Sequence, residues 1–377
     1  MLAIKHCNSS DVVDVAFSNQ THQMFVVEPL RCKENLNSTT SPTAAGLSMT
    51  LGIVSNIIAL VILAKAYARL RKRSKATFLL FASCLVATDL AGHVIPGALV
   101  LRLYTAGEIC NHPDATCHFL GGSMVFFGLC PLFLGCGMAA ERCMGVTRPL
   151  LHARVVCTAR TKVVLVMIWF LALTVALLPF FRLGSYTYQY PQTWCFIKVL
   201  GNKCIADETP PTLTDVVFVL LFSGLGLASL AVALVCNTIS VMTLVIARLR
   251  RKKSAKDQRR SAKSHDIEMV AQLVGIMVTS CICWSPLLIF GLMSVIRSYR
   301  GSMGNDLETY RTLMVMGVRL ASWNQILDPW VYILLRRAVL RKIYRLTTGR
   351  SDLRGSTFRR WEISSFQNSV KNAINLN

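Results

Sequence analysis

Seven separate stretches of this chain are apolar for about 20 residues or more, enough for a helix to cross roughly 30 Å of hydrocarbon. They run Ala44–Ala64, Phe78–Leu101, Cys117–Met138, Val163–Phe181, Val216–Ala247, Val270–Ile296 and Leu313–Tyr332. Only 16% of the residues are charged and 53% are hydrophobic, with a mean hydropathy of +0.47. Soluble domains carry about 25% charge, so the pattern points to a membrane protein. The fold class expected is all-α: a seven-transmembrane helix bundle. A net charge of +22 could suggest nucleic acid. The basic residues instead bunch in short stretches between apolar runs, as the positive-inside rule requires, and no nucleic-acid partner is expected. No heptads, low-complexity tract or solenoid-length repeat is present.

The charges between the runs fix a topology. Residues 1–42 are polar and hold three N-x-Ser/Thr patterns, at Asn8, Asn19 and Asn37. Such a tail fits an extracellular, glycosylated segment. It has no basic start followed by an apolar core, so no cleavable signal peptide is expected and the first run would direct translocation. Basic clusters follow the first run (Arg69, Arg71, Lys72, Arg73, Lys75) and the fifth (Arg248 to Lys263). Alternation from an outer N-terminus puts both clusters and the C-terminal tail in the cytoplasm. The expected divisions are the tail 1–42, the bundle 43–336, and a cytoplasmic amphipathic helix and tail over 337–377. In Leu334–Tyr344 apolar residues alternate with cations at helical spacing, as in a helix lying on membrane lipids. No cysteine follows Cys283, so no palmitoyl anchor beyond that helix is expected.

The seventh run stands apart, because Arg319 and Asp328 sit inside it. Nine residues separate them by roughly 13 Å along a straight helix, too far for contact. An arginine cannot shed its charge, so at that depth it faces a cavity or a partner. Its complement would be an anion, such as a carboxylate held bidentately; the plainer reading is an internal ion pair. On the second run Asp89 and His93 share a helical face, as a buried polar network or as ligand contacts. Pro179, Pro286 and Pro329 lie within or near the ends of runs, where each permits a kink, and Trp284 sits beside Pro286 as core filler or as a bulky ring at a flexible point.

Of the fourteen cysteines, Cys7, Cys32, Cys110, Cys117, Cys195 and Cys204 fall on the outer side, where disulfides are permitted, while Cys143 and Cys157 near the inner face should stay reduced. No CxxC, HExxH, GxSxG, P-loop or dinucleotide fingerprint occurs, and the seven histidines lack metal-ligand spacing. No metal, cofactor or catalytic group is expected.

Several positions share a pattern. Asn56, Asp89, Glu141-Arg142-Cys143, Trp169, Cys283-Trp284-Ser285-Pro286 and Asp328-Pro329-Trp330-Val331-Tyr332 each fall in a different run or at its inner end. Together they resemble the rhodopsin-class G-protein-coupled receptors, although the fifth run lacks the usual proline. Gln189 to Phe196, as a second outer loop, and Arg319 in the seventh helix resemble the prostanoid branch. That resemblance implies a ligand carboxylate held by Arg319, Tyr104 and Thr193, which would satisfy a buried anion with one cation and two hydroxyls. It further implies Ser322 and His93 near the ligand ring, and Met124 and Trp284 along its hydrocarbon chains. A Cys117–Cys195 disulfide would tie the third helix to the outer loop. Arg142 would belong to the G-protein switch, with Glu141 restraining it and Asp328 and Tyr332 as further members. The helical stretches lean toward prostaglandin E2 as ligand and a Gq-type protein as partner, at the plasma membrane. Trp361 to Ser365 in the tail lean toward prostaglandin F2α. Many relatives hold sodium near the second-helix aspartate, but Pro131 stands where the third helix would offer a hydroxyl, so no sodium is assigned to Asp89.

Two other classes compete. An organic-anion transporter would use Arg319 as its binding cation, yet no repeated halves or paired broken helices occur. An intramembrane enzyme would need a nucleophile–base or metal constellation, and none is present.

Overall fold

The computed structural model describes residues 42–70, 76–106, 115–190, 193–200, 210–252, 260–301 and 306–334. Chain contacts set Met1–Tyr332 apart from Ile333–Asn377, and only the first unit is described below. Asn8, Asn19 and Asn37, the cysteines Cys7, Cys32, Cys110 and Cys204, and the segment 337–377 lie outside the described residues.

Each apolar run forms one long helix: α1 (Pro42–Leu70), α2 (Ala76–Ala106), α3 (Ala115–Thr147), α5 (Thr158–Leu177), α6 (Leu213–Lys252), α7 (Arg260–Tyr299) and α8 (Leu307–Leu334), with the short α4 (Pro149–Val155) between α3 and α5. Most helices outrun their apolar cores. α3 continues past Met138 to Thr147, and α7 begins at Arg260, before the apolar run opens at Val270. Outside hydrocarbon an α-helix still satisfies its own backbone, so polar residues extend it freely. Six of the helices are apolar and long enough to cross a membrane. The seventh, α8, has the length at 28 residues; Arg311, Arg319, Asn324, Gln325 and Asp328 lower its hydropathy. Pro96, Pro131, Pro286 and Pro329 all lie inside helices, as a bundle tolerates where neighbouring groups take up the freed carbonyls.

α3 is the central helix, packing against α2, α5, α6 and the outer hairpin. Its Leu120, Val125, Leu129 and Leu134 are fully buried. α5 is peripheral, with Val166 60% and Phe170 64% exposed. An apolar face that bare belongs against lipid.

After α5 and a 3-10 turn (Leu178–Phe181) the chain folds back as a hairpin of β1 (Tyr186–Gln189) and β2 (Trp194–Ile197), antiparallel with Tyr188 opposite Cys195. Aromatic and branched residues dominate both strands, as suits a half-buried pleated surface. Three ties seat the hairpin. Cys195 is bonded to Cys117 at the outer end of α3, with Cα atoms 5.4 Å apart. Tyr186 is fully buried and its hydroxyl donates to the Ala176 carbonyl at 2.7 Å. Burial pushes that phenol well above its ordinary pKa, so it remains a donor. The ring rests on Gly121, where an added Cβ would lie 2.6 Å from it. Finally, Ser185 donates at 2.7 Å to Asp215, whose other oxygen accepts from the Thr212 hydroxyl at 2.7 Å and the Thr212 amide at 2.9 Å. Asp215 thus closes a capping box at the start of α6 and ties it to the hairpin.

Candidate functional site

Beneath the hairpin lies a cavity of about 420 Å³, of a size that accepts a small lipid. All seven ligand candidates line it: Arg319, Tyr104, Thr193, Ser322, Met124, Trp284 and His93. The rest of the lining is mostly apolar, including Met49, Val100, Phe127, Phe196, Phe222 and Leu287. α8 brings Arg319 and, one turn deeper, Ser322 to one wall. α2 supplies Tyr104 near its outer end and His93 about three turns deeper. Thr193 is buried and precedes β2, two residues from the disulfide. One cation and two hydroxyls toward the outer end, over an apolar floor, is chemistry suited to an amphipathic carboxylate.

The deeper wall has its own order. His93 is buried with no hydrogen-bond partner at Nε2, and both oxygens of the fully buried Asp89 are likewise unpartnered. No hydrogen bond joins the two. The His93 ring sits where a side chain at position 52 would go: a Cβ on Gly52 would lie 2.4 Å from Nε2. Trp284, 3% exposed, lines this cavity and also a second, small one of about 30 Å³ toward the inner side. That second space is bordered by Asn237, Asn324 and Asp328, and Asn324 donates to Asp328 at 3.0 Å. Among the described residues no group of three or more metal-ligating side chains occurs.

At the inner end Glu141 is buried, and one oxygen accepts from Thr77 at 3.1 Å and faces His152 Nε2 at 3.1 Å. Its other oxygen lies 4.0 Å from Arg142 Nε. The Arg142 guanidinium stacks over the Phe78 ring, 3.6 Å from its centroid. Arg142 thus lies against both Glu141 and an aromatic face on α2. Asp328 is buried on α8. Tyr332 belongs to the same helix, and its side chain lies outside the described residues.

The sequence pattern of the 7 transmembrane receptor (rhodopsin family) matches residues 16–332. The chain belongs to that family. Among its relatives it is 48% identical over 380 residues to the prostaglandin E2 receptor EP1 subtype of Canis lupus familiaris, covering 89% of this chain and 90% of that one. The human EP1 subtype is 49% identical over 377 residues, covering 87% and 90%. The human prostaglandin F2-alpha receptor is 43% identical over 347 residues, covering 89% and 91%. Squid rhodopsin superposes with a TM-score of 0.63 at 16% identity, covering 81% of this chain and 86% of that one, which bears on the fold alone. Within the rhodopsin family the chain is a prostanoid-branch receptor, and the transporter and enzyme readings fall away.

Some residues of this receptor's two ends escaped the sequence reading. Gln325 lines the cavity and its side-chain amide donates to the Phe127 carbonyl at 3.1 Å, while its backbone carbonyl accepts from Asn56 at 3.0 Å. Arg311 is buried, pairs with Glu308 at 2.8 Å, and lies 5.7 Å from the Tyr190 ring centroid. The spacing of Glu308 and Arg311, three apart on one helix, was the available signal. His152 and Thr77 gave no local cue, since their shared partner lies on another element.

Proposed function

We propose that this receptor binds prostaglandin E2 and couples through a Gq-type protein to a rise in cytosolic calcium. The observation that carries it is the shared cavity, in which Arg319, Tyr104 and Thr193 surround the outer end of an apolar chamber. The carboxylate would pair with Arg319 and accept from the two hydroxyls, while the hydrocarbon chains fill the space toward Met124 and Trp284. The ring would lie near His93 and Ser322, where a donor suited to a ketone disfavours a hydroxyl. The higher identity to EP1 subtypes than to prostaglandin F2-alpha receptors supports E2 over F2α. Glu141 and Arg142 form the inner switch, with Asp328 and Tyr332 on α8 completing the helix that carries Arg319. The receptor sits in the plasma membrane with its N-terminal tail outside, glycosylated at Asn8, Asn19 and Asn37. Its C-terminal segment lies inside against membrane lipids.

Calcium dose–response curves for prostaglandin E2 and prostaglandin F2α on the same transfected cells test this. Prostaglandin E2 is expected to be the more potent, and a Gq inhibitor to abolish the signal. A clear preference for F2α overturns the ligand assignment, and an inhibitor-resistant response overturns the Gq assignment.

A further inference from the structure

The groups that would hold a carboxylate come from separate parts of the chain. Arg319 stands on α8, whereas Thr193 rides on the turn between β1 and β2. The three ties that seat the hairpin end on α3, α5 and α6. Arg311 reaches across from α8 itself. It lies eight residues before Arg319, roughly 12 Å further out along the helix. A cation so near a helix start runs against the macrodipole, and Glu308, 2.8 Å away, offsets it. Glu308 is nevertheless 64% exposed while Arg311 is buried, so that pair does not explain why the cation turns inward. It turns onto Tyr190, with the guanidinium over the ring and 5.7 Å from its centroid, within cation–π range. The outer end of α8 is a firm base for this contact. Arg297 of α7 pairs with Asp306 at 2.9 Å and lies over the Tyr310 ring, 5.4 Å from its centroid.

We infer that Arg311 and Tyr190 are positioning residues: their contact holds the hairpin turn against α8, so that Thr193 and Arg319 meet one ligand carboxylate. This rests on the reading of the cavity as a carboxylate site. Tyr190 follows β1 and Thr193 precedes β2. The Trp194 indole N–H donates to the Tyr190 carbonyl at 2.9 Å and closes the turn on itself. Gln189 faces Trp194 across the ladder, and its side-chain amide donates to the Ile197 carbonyl at 3.1 Å. Tyr190 and Thr193 therefore belong to one stiff unit. Trp194 is buried and lines the cavity beside Thr193, so a hold on the Tyr190 ring is delivered to the roof. Without that hold, the Thr193 hydroxyl and the Arg319 guanidinium shift independently, and a carboxylate bridging them loses a pre-organised seat. Contacts to the ligand's hydrocarbon chains, made by other walls, are left as they were.

The test compares two ligands on the full-length receptor in membranes. One is prostaglandin E2; the other is its analogue with the carboxyl carbon reduced to a primary alcohol, neutral and of nearly the same shape. Dissociation constants are measured for both. Wild type is expected to favour the acid. Tyr190→Leu and Arg311→Gln are each expected to weaken acid binding roughly three- to tenfold and to leave the alcohol close to its wild-type value. Tyr190→Phe keeps the ring and is expected to match wild type. Combining Tyr190→Leu with Arg311→Gln is expected to add little to either alone, because both break one contact. Equal losses for acid and alcohol, no loss in Tyr190→Leu, a Phe variant as weak as the Leu variant, or additive losses overturns the inference. A loss of acid binding in Arg311→Gln alone overturns it as well, since the charge would then act on the ligand directly. If Arg311→Gln fails to reach the surface, the two Tyr190 variants carry the test, because that side chain is 43% exposed. A wild type with no preference for the acid overturns the carboxylate reading, and the inference with it. A wild-type preference that the variants leave intact overturns the inference alone.

Discussion

The two ends of this bundle are held by different means. The outer end is built around space: a cavity of about 420 Å³ roofed by a hairpin that a covalent bond, a buried phenol and a capping box fasten to three helices. Toward the inner side the second space holds only about 30 Å³, and among the described residues individual hydrogen bonds and a stacked guanidinium hold the inner end. A handful of bonds, each worth about 1 kcal/mol net, can be exchanged by a modest redistribution of binding energy. Trp284, lining both spaces, stands where the two regimes meet.

Breaking the roof should have the largest effect. Replacing Cys117 or Cys195 with alanine removes a crosslink worth about 2–5 kcal/mol in small domains and frees the hairpin that carries Thr193. Surface immunostaining and saturation binding are expected to show a large loss of folded receptor and weaker binding in what remains. Full expression with normal affinity would mean that the other two ties suffice.

Arg319→Ala separates ligand recognition from architecture. Arg319 stands exposed in the cavity, and truncating one partner of a charge pair that a bound carboxylate would bury costs about 2–5 kcal/mol, which is roughly 30-fold or more in affinity. Expression and basal signalling should be unchanged, and competition binding with labelled prostaglandin E2 checks it. Unaltered affinity would remove Arg319 from the site.

At the inner end, Glu141→Gln is expected to raise basal signalling several-fold. Arg142→Ala should lower the maximal response while ligand affinity holds. Concentration–response curves paired with binding isotherms distinguish the two, and a normal response from Arg142→Ala would dissolve the proposed switch.

The smallest effect probes the third tie. Asp215→Ala loses the cap of α6 and its link to Ser185, a cost of about 1 kcal/mol. A drop of a few degrees in the melting temperature of purified receptor, with little change in affinity, would rank this tie below the disulfide.

Much of the outer end was legible in the chain. A helix that must cross hydrocarbon needs an apolar run, so all seven spans were visible, and a charge such as Arg319 stood out against that background. The hairpin was not, because Tyr186–Gln189 and Trp194–Ile197 are too short for alternation to distinguish strand from loop. The α4 helix hid for the opposite reason: Pro149 is a fitting first helical residue, but seven residues carry no usable period. Arg311 lies just before the seventh apolar run opens at Leu313, and only the fold buries it. Glu141 and Arg142 are neighbours in sequence, which made their pairing the obvious expectation; the stronger partners came from α2 and α4.

The disulfide has a consequence for how the receptor is made. Its cysteines are 78 residues apart, and the intervening chain includes most of α3, all of α4 and α5, and the first strand of the hairpin. At about 5–20 residues per second, a ribosome needs roughly 4–16 s to deliver Cys195 after Cys117. Until then the first thiol waits in the oxidising lumen with its partner unmade. Each new receptor therefore passes through an interval in which its outer surface is open to wrong pairings, and the yield of functional protein depends on oxidants and isomerases in the compartment where it is assembled.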